Sequence, residues 1–270
     1  MKPRVLVTND DGIQAPGLRC LVAHLCEDSD LLVVAPERQQ SAVGHSITLH
    51  KPLRMDLTPL AGLPVRAFQS NGTPADCVVL GALSHTGPVD LVVSGINAGA
   101  NLGEEVFYSG TVSAALEAAI QGIPAFAISL ADKENGSFEP AARLARRLVG
   151  FVLELGLPRG TLLNVNVPGL PLERQAPPVV TRLGRRCYAN QIEERKDPWG
   201  RSYFWFSGEP EEVDSGPGTD IGAVAEGRTS ITPMHTDLSD YSLVEKLRAQ
   251  QDGLAARLME TVGDGNREGW

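Results

Sequence analysis

Apolar positions recur along the chain in two patterns that take turns. The first is the short continuous run. Val5, Leu6 and Val7 sit inside 4–8, and similar runs occupy 31–35, 90–94, 124–130 and 161–167. Runs of this length, rich in branched side chains, predict strands buried on both faces. The second is helical spacing, as in Leu18, Leu21, Val22 and Leu25, which follow Ala15-Pro16-Gly17 and predict a helix with one face on a core. Further helices are expected over 77–83, 114–121 and 139–155. The helix at 77–83 has a clear start signal: Thr73 as N-cap, Pro74 as first helical residue and Asp76 in the first turn. Stretches 47–57 and 65–70 alternate more and read as extended. Strand, helix and strand in repetition predict an α/β fold: a Rossmann-like, mostly parallel sheet with helices on both faces, joined by right-handed crossovers.

The pattern changes near residue 170. Residues 171–178 are proline-rich. Beyond them β-prone pieces such as Tyr203-Phe204-Trp205-Phe206 are separated by charged and Gly-Pro stretches. These read as hairpins and loops projecting from the sheet, with aromatics suited to a subunit contact. A last short strand is expected at 230–233. From Ser242 the chain reads as helix, with capping-box spacing from Ser242 to Glu245. Its apolar stripe is Leu243, Leu247, Leu254 and Leu258, Gly253 interrupts it, Gly263 ends it, and a loosely held tail, 264–270, follows. The expected division is a Rossmann-like core over 1–170 carrying the candidate site, a β-rich extension over 171–232 used in oligomerisation, and a C-terminal helix and tail over 233–270.

Composition narrows the function classes. The 270 residues carry a net charge of −9, which argues against a nucleic-acid polymer as partner. No apolar run of about 20 residues exists, so no membrane partner is expected. Met1-Lys2-Pro3-Arg4 leads straight into a strand with no secretory h-region, so a cytoplasmic location is expected. The four cysteines form no C-x-x-C pair and the five histidines no H-E-x-x-H; free thiols are expected, and no zinc site of the usual spacing.

Candidate chemistry gathers where the expected strands end. Asn9-Asp10-Asp11-Gly12 follows the first strand. Adjacent carboxylates repel unless a cation or a proton intervenes, and open α/β sheets bind ligands at the carboxyl ends of their strands. The competing reading is a plain Asx-Gly turn. Ser41 lies in the polar stretch after the second strand, where a solvated loop serine is the alternative. Asn97 lies in a glycine-rich loop, 95–103, that is neither G-x-G-x-x-G nor a Walker A loop. Ser109-Gly110-Thr111 stands where a helix should begin, as an anion site or an ordinary cap. Strand-end loops of a parallel sheet converge, which places Asp10, Asp11, Ser41 and Asn97 within reach of one cation. All four are hard oxygen donors, pointing to magnesium, manganese or calcium. A metal beside an anion-binding helix end is an arrangement for hydrolysing a phosphate ester.

Thr8-Asn9-Asp10-Asp11-Gly12, Gln40-Ser41, Asn71-Gly72-Thr73-Pro74-Ala75-Asp76-Cys77, Ser94-Gly95-Ile96-Asn97-Ala98-Gly99-Ala100-Asn101 and Tyr108-Ser109-Gly110-Thr111-Val112 together resemble the SurE (survival protein E) family. The likeness continues in Leu163-Asn164-Val165-Asn166-Val167-Pro168, Gly218-Thr219-Asp220 and Ser230-Ile231-Thr232-Pro233, and so spans nearly the whole chain in order. It implies a metal-dependent nucleoside-monophosphate phosphatase, acting on 5′- and often 3′-nucleotides, with polyphosphate hydrolysis in some members. It implies one divalent ion per subunit (magnesium or manganese, or calcium in crystals) held by Asp10, Asp11, Ser41 and Asn97. It also implies a phosphate against Asn97, Ser109, Gly110 and Thr111, catalysis by Asp10 and Asp11, and a homodimer or homotetramer sharing the hairpin and C-terminal segment. Two rival classes are a nucleotide-binding sensor that uses the same loops without turnover, and a Rossmann oxidoreductase, which the missing glycine fingerprint disfavours.

Overall fold

The structure is a computed structural model that describes residues 2–84, 88–132, 136–188, 191–207 and 210–259. His85, Gly263 and the tail 264–270 lie outside the described residues.

The expected alternation is what forms. Strand β1 (Arg4–Thr8) leads to helix α1 (Pro16–Leu25) and β2 (Asp30–Pro36). A short β3 (Met55–Leu57) and β4 (Arg66–Ser70) precede α2 (Pro74–Ser84). Then come β5 (Leu91–Ala98), α3 (Gly110–Ile120), β6 (Ala125–Ala131), α4 (Glu139–Leu155) and β7 (Thr161–Pro168). The later elements are β8 (Ala176–Val180), β9 (Arg185–Tyr188), β10 (Gln191–Lys196), β11 (Ser202–Ser207), β12 (Pro210–Asp214), α5 (Asp220–Ala225), β13 (Arg228–His235), α6 (Tyr241–Arg248) and α7 (Gln251–Met259).

One nine-stranded sheet runs β3-β4-β2-β1-β5-β6-β7-β13-β8. From β4 to β7 every neighbouring pair is parallel, while β3 and β13 run antiparallel to β4 and β7. The central parallel strands are mostly apolar because both faces are covered. Val5 and Val7 of β1 point into a core built with α1 and α4, whereas Leu6 between them points into a second core with α2 and α3. Strand order steps one way from β1 to β2 and the other way from β1 to β5. The crevice above the ends of β1 and β5 is thus the point where the winding reverses, the usual ligand position in such sheets.

Some local readings shift. Strand β5 continues past Ser94 to Ala98, with a register irregularity between Gly95 and Asn97, so the first half of the glycine loop is strand. A Cβ on Gly95 would meet Ile128 O at 2.3 Å, which explains why a side chain is missing there. Residues 176–180, which overlap the end of the proline-rich stretch, pair with β13 at the sheet edge, where proline is tolerated. The aromatic stretch forms a hairpin, β11 against β10, in register from Gln191–Ser207 to Lys196–Ser202; Phe204 and Trp205 are exposed on it.

The described residues from Asp237 onward form a compact unit separate from the described residues before them. The cap there is Asp240, not Ser242: its carboxylate accepts from Leu243 N at 3.0 Å, and helix starts at Tyr241. The break falls at Ala249 and Gln250, and Gly253 lies inside α7. Leu243, Leu247, Leu254 and Leu258 are all exposed.

Candidate active site

The site is built from three strand ends and one helix start. β1 ends at Thr8, and Asn9 folds the acidic turn back on itself. Asn9 Nδ2 donates to Gly12 O at 3.0 Å and Gly12 N donates to Asn9 Oδ1 at 3.2 Å. Gly12 takes φ +100°, a conformation that favours glycine. The turn is real, but it serves to hold Asp10 and Asp11 at the edge of a cleft. Gln40 N on the loop after β2 donates to Asp10 O at 2.8 Å, which draws the second loop against the first.

An open cleft of about 370 Å³ is lined by Asp10, Asp11, Gln39, Ser41, Asn97, Asn101, Glu105, Tyr108 and Ser109, with alanines between them. The expected set thus comes together at Asp10, Asp11, Ser41, Asn97 and Ser109. Gly110 and Thr111 stand behind Asp10 instead. Thr111 Oγ1 donates to Asp10 Oδ1. A Cβ on Gly110 would lie 2.7 Å from Asp10 Cβ, so only glycine lets the helix start approach the carboxylate this closely. Ser109 is the N-cap of α3, its hydroxyl accepting from Val112 N at 3.1 Å. The same hydroxyl keeps its own proton to donate, so capping and ligand contact are compatible.

The electrostatics are those of a site short of positive charge. Burial pushes Asp10 up from 3.8 to about 6; the Asp11 charge pushes the same way, against the Thr111 hydroxyl. Burial also raises Asp11, opposed by the Ala98 N–H, which donates to Asp11 Oδ2 at 3.3 Å. No lysine or arginine is among the described residues lining the cleft. Gln39 Nε2 donates to Ser41 Oγ at 2.8 Å and reaches Asp11 Oδ1 at 3.5 Å, so one amide bridges two of the oxygen groups. Asn97 Nδ2 donates to Gly99 O at 2.8 Å, which leaves Oδ1 for the cleft. Two partly desolvated carboxylates, a hydroxyl and an amide oxygen fit a hard divalent cation, whose charge would offset the desolvation that raises both acids.

A buried amide network supports this wall. Asn101 N donates to Asn166 Oδ1 at 2.8 Å, and Asn101 Nδ2 to Ser129 Oγ at 2.8 Å. Asn164 and Asn166 in turn donate to Asn101 O at 2.9 and 3.0 Å. Two asparagines at period-two spacing on an otherwise apolar strand were the available signal for it. Further along, the fully buried Asp220 accepts from Gly103, Ile221 and Gly184 at 2.7–2.9 Å, tying the next turn to α5. Gln39 and Glu105 carry no signal in sequence; only the folded loops bring them to the cleft.

Known proteins share both sequence and fold with this chain. The family model described as "Survival protein SurE" matches residues 5–190. A protein of Moorella thermoacetica named 5′-nucleotidase SurE is 52% identical over 247 residues, covering 91% of this chain and 95% of its own length. One of the same name from Pelotomaculum thermopropionicum is 47% identical over 268 residues, with 98% of both chains covered. The crystal structure of the SurE protein from Aquifex aeolicus superposes with a TM-score of 0.79 at 41% identity, over 93% of this chain and 100% of that one.

Proposed function

This chain belongs to the SurE family, and from that premise we propose that it is a 5′-nucleotidase, a phosphoric monoester hydrolase that splits nucleoside monophosphates into nucleoside and phosphate. The observation that carries the reading is the convergence of Asp10, Asp11, Ser41 and Asn97 with the capped start of α3 in one cleft at the reversal of the sheet.

In this reading Asp10, Asp11, Ser41 and Asn97 hold one divalent ion, magnesium or manganese. When bound, the ion neutralises phosphoryl charge and makes water more acidic. The phosphate sits against Asn97 and Ser109, with the first amides of α3 at Gly110 and Thr111 adding the free N–H groups and dipole of a helix start. Ser109 donates its hydroxyl proton to an equatorial oxygen, where negative charge develops. Thr111 keeps its hydroxyl on Asp10 Oδ1 and fixes that carboxylate. One aspartate accepts the proton of the attacking water while the other mainly holds the cation. Asp11 suits the base role, because it is the less buried of the two and the Thr111 hydroxyl bonds Asp10 instead. The open cleft suits 5′- and also 3′-monophosphates, and short polyphosphate chains. A cytoplasmic homo-oligomer, dimer or tetramer, completes the proposal, with the β10–β11 hairpin and the exposed leucines of α6 and α7 as contact surfaces.

Phosphate release from a panel of nucleoside monophosphates tests it, with and without magnesium or manganese, in wild type and Asp11→Asn. Release that needs metal and drops by at least about a hundredfold in the variant is the expected result. A folded, metal-loaded wild type that leaves every nucleotide intact would instead make this a nucleotide-binding sensor.

A further inference from the structure

A second group of metal-ligating side chains lies outside the cleft. Cys20 and His24 stand one turn apart on α1, and Glu139 opens α4, which packs beside it. One ligand atom from each, all three within 4.8 Å of one another, can be chosen. His24 Nε2 is 3.2 Å from Glu139 Oε1. None of the three lines the cleft described above.

We propose that Cys20, His24 and Glu139 form a zinc-binding site that clips α1 to α4. Four features of the geometry carry it. The ligand types are mixed, thiolate, imidazole and carboxylate, the set that suits a borderline-soft tetrahedral ion such as zinc and not the hard ion of the oxygen cleft. The imidazole is already placed: His24 Nδ1 lies 2.9 Å from Cys20 O of the preceding turn, and Nε2 faces Glu139 Oε1 at 3.2 Å, so a bound ion takes Nε2 in place of that hydrogen bond while Nδ1–H keeps the carbonyl. A carbonyl-held histidine and a carboxylate held from outside are what support a metal's ligands, and Arg143 Nε donates to Glu139 Oε1 at 2.8 Å, which holds the carboxylate from outside the group. All three residues are half-buried, so an ion can enter while the thiol is shielded.

The distances close with a small movement. Ligand atoms of tetrahedral zinc lie about 3.5 Å apart, from bonds of about 2.0–2.3 Å, so the widest pair must approach by roughly 1 Å. Burial and the Glu139 charge push the Cys20 thiol up to about 11. The thiol is therefore protonated when no metal is bound, and binding releases that proton as the thiolate–metal bond forms. A thiolate and a carboxylate balance the dication, and Arg143 remains an outer neighbour. The fourth position is open to water.

Cobalt(II) titration of the metal-stripped full-length chain provides the test, followed by displacement with zinc. Tetrahedral thiolate ligation would appear as a thiolate-to-cobalt charge-transfer band with strong d–d absorption, which oxygen ligation at Asp10 and Asp11 does not produce. The band is expected in wild type, Cys26→Ser and Asp11→Asn, and absent from Cys20→Ser. His24→Gln and Glu139→Gln should weaken binding at least tenfold. Glu139 is partly exposed, so its variant keeps the test decisive if Cys20→Ser fails to fold. Absence of a thiolate band in wild type, or a band that survives Cys20→Ser, overturns the proposal.

Discussion

Asp10→Asn should stabilise the metal-free protein while destroying the site. Asp10 is buried beside Asp11, and its carboxyl titrates near 6 in the fold against an ordinary 3.8. The folded state therefore holds the proton more tightly than the unfolded state, and between these values folding takes up protons. Stability consequently falls as pH rises through this window and stays low above 6. At 1.36 kcal/mol per pH unit the ionised form costs the metal-free fold about 3 kcal/mol at pH 8. Asparagine keeps the shape and an acceptor for Thr111 but carries no charge; one lost hydrogen bond would return about 1 kcal/mol. Urea unfolding in a chelator should thus show the variant more stable by about 2–3 kcal/mol at pH 8, by roughly half that at pH 5, and by nothing near pH 4. Added manganese should reverse the order, since at a hundred times its Kd a ligand stabilises wild type by about 2.7 kcal/mol and the variant scarcely at all. A variant that is no more stable than wild type at pH 8 in chelator would refute the claim that burial and like charge load this site.

Other perturbations follow from the same geometry. Gly110→Ala places a methyl 2.7 Å from Asp10 Cβ, so the carboxylate must move; metal affinity measured by calorimetry should fall by at least tenfold, or about 1.4 kcal/mol, with the fold retained by circular dichroism. Asn166→Leu leaves Asn101 N without its buried acceptor and Asn101 O with Asn164 alone, and thermal unfolding should report a loss of about 1–3 kcal/mol. Asp240→Ala removes the cap of α6 and should lower helicity in that segment, at a cost of about 1 kcal/mol. Ser242→Ala, which leaves that cap in place, should change little, and equal effects would show that Asp240 is not the cap.

What was legible in the chain was what local interactions decide. Apolar runs and helical spacing mark the parallel strands and their helices, since period and length follow from neighbours along the backbone. Thr73, Pro74 and Asp76 marked the start of α2, where Thr73 N donates to Asp76 Oδ2 and Asp76 N to Thr73 Oγ1. The strand-end acids, hydroxyl and amide could also be picked out, because a parallel sheet sends such loops to one edge. Tertiary structure decided the rest. It fixed which loops meet at the reversal between β1 and β5, and it brought Gln39 and Glu105 into a wall with residues far away in the chain. It turned Thr111 onto Asp10, and it removed enough water from Asp10 to shift its titration. It also set Glu139 against Cys20 and His24, 115 residues apart from His24, a neighbourhood no spacing motif describes. Burial and long-range approach depend on how the whole sheet winds, and no window of sequence contains that.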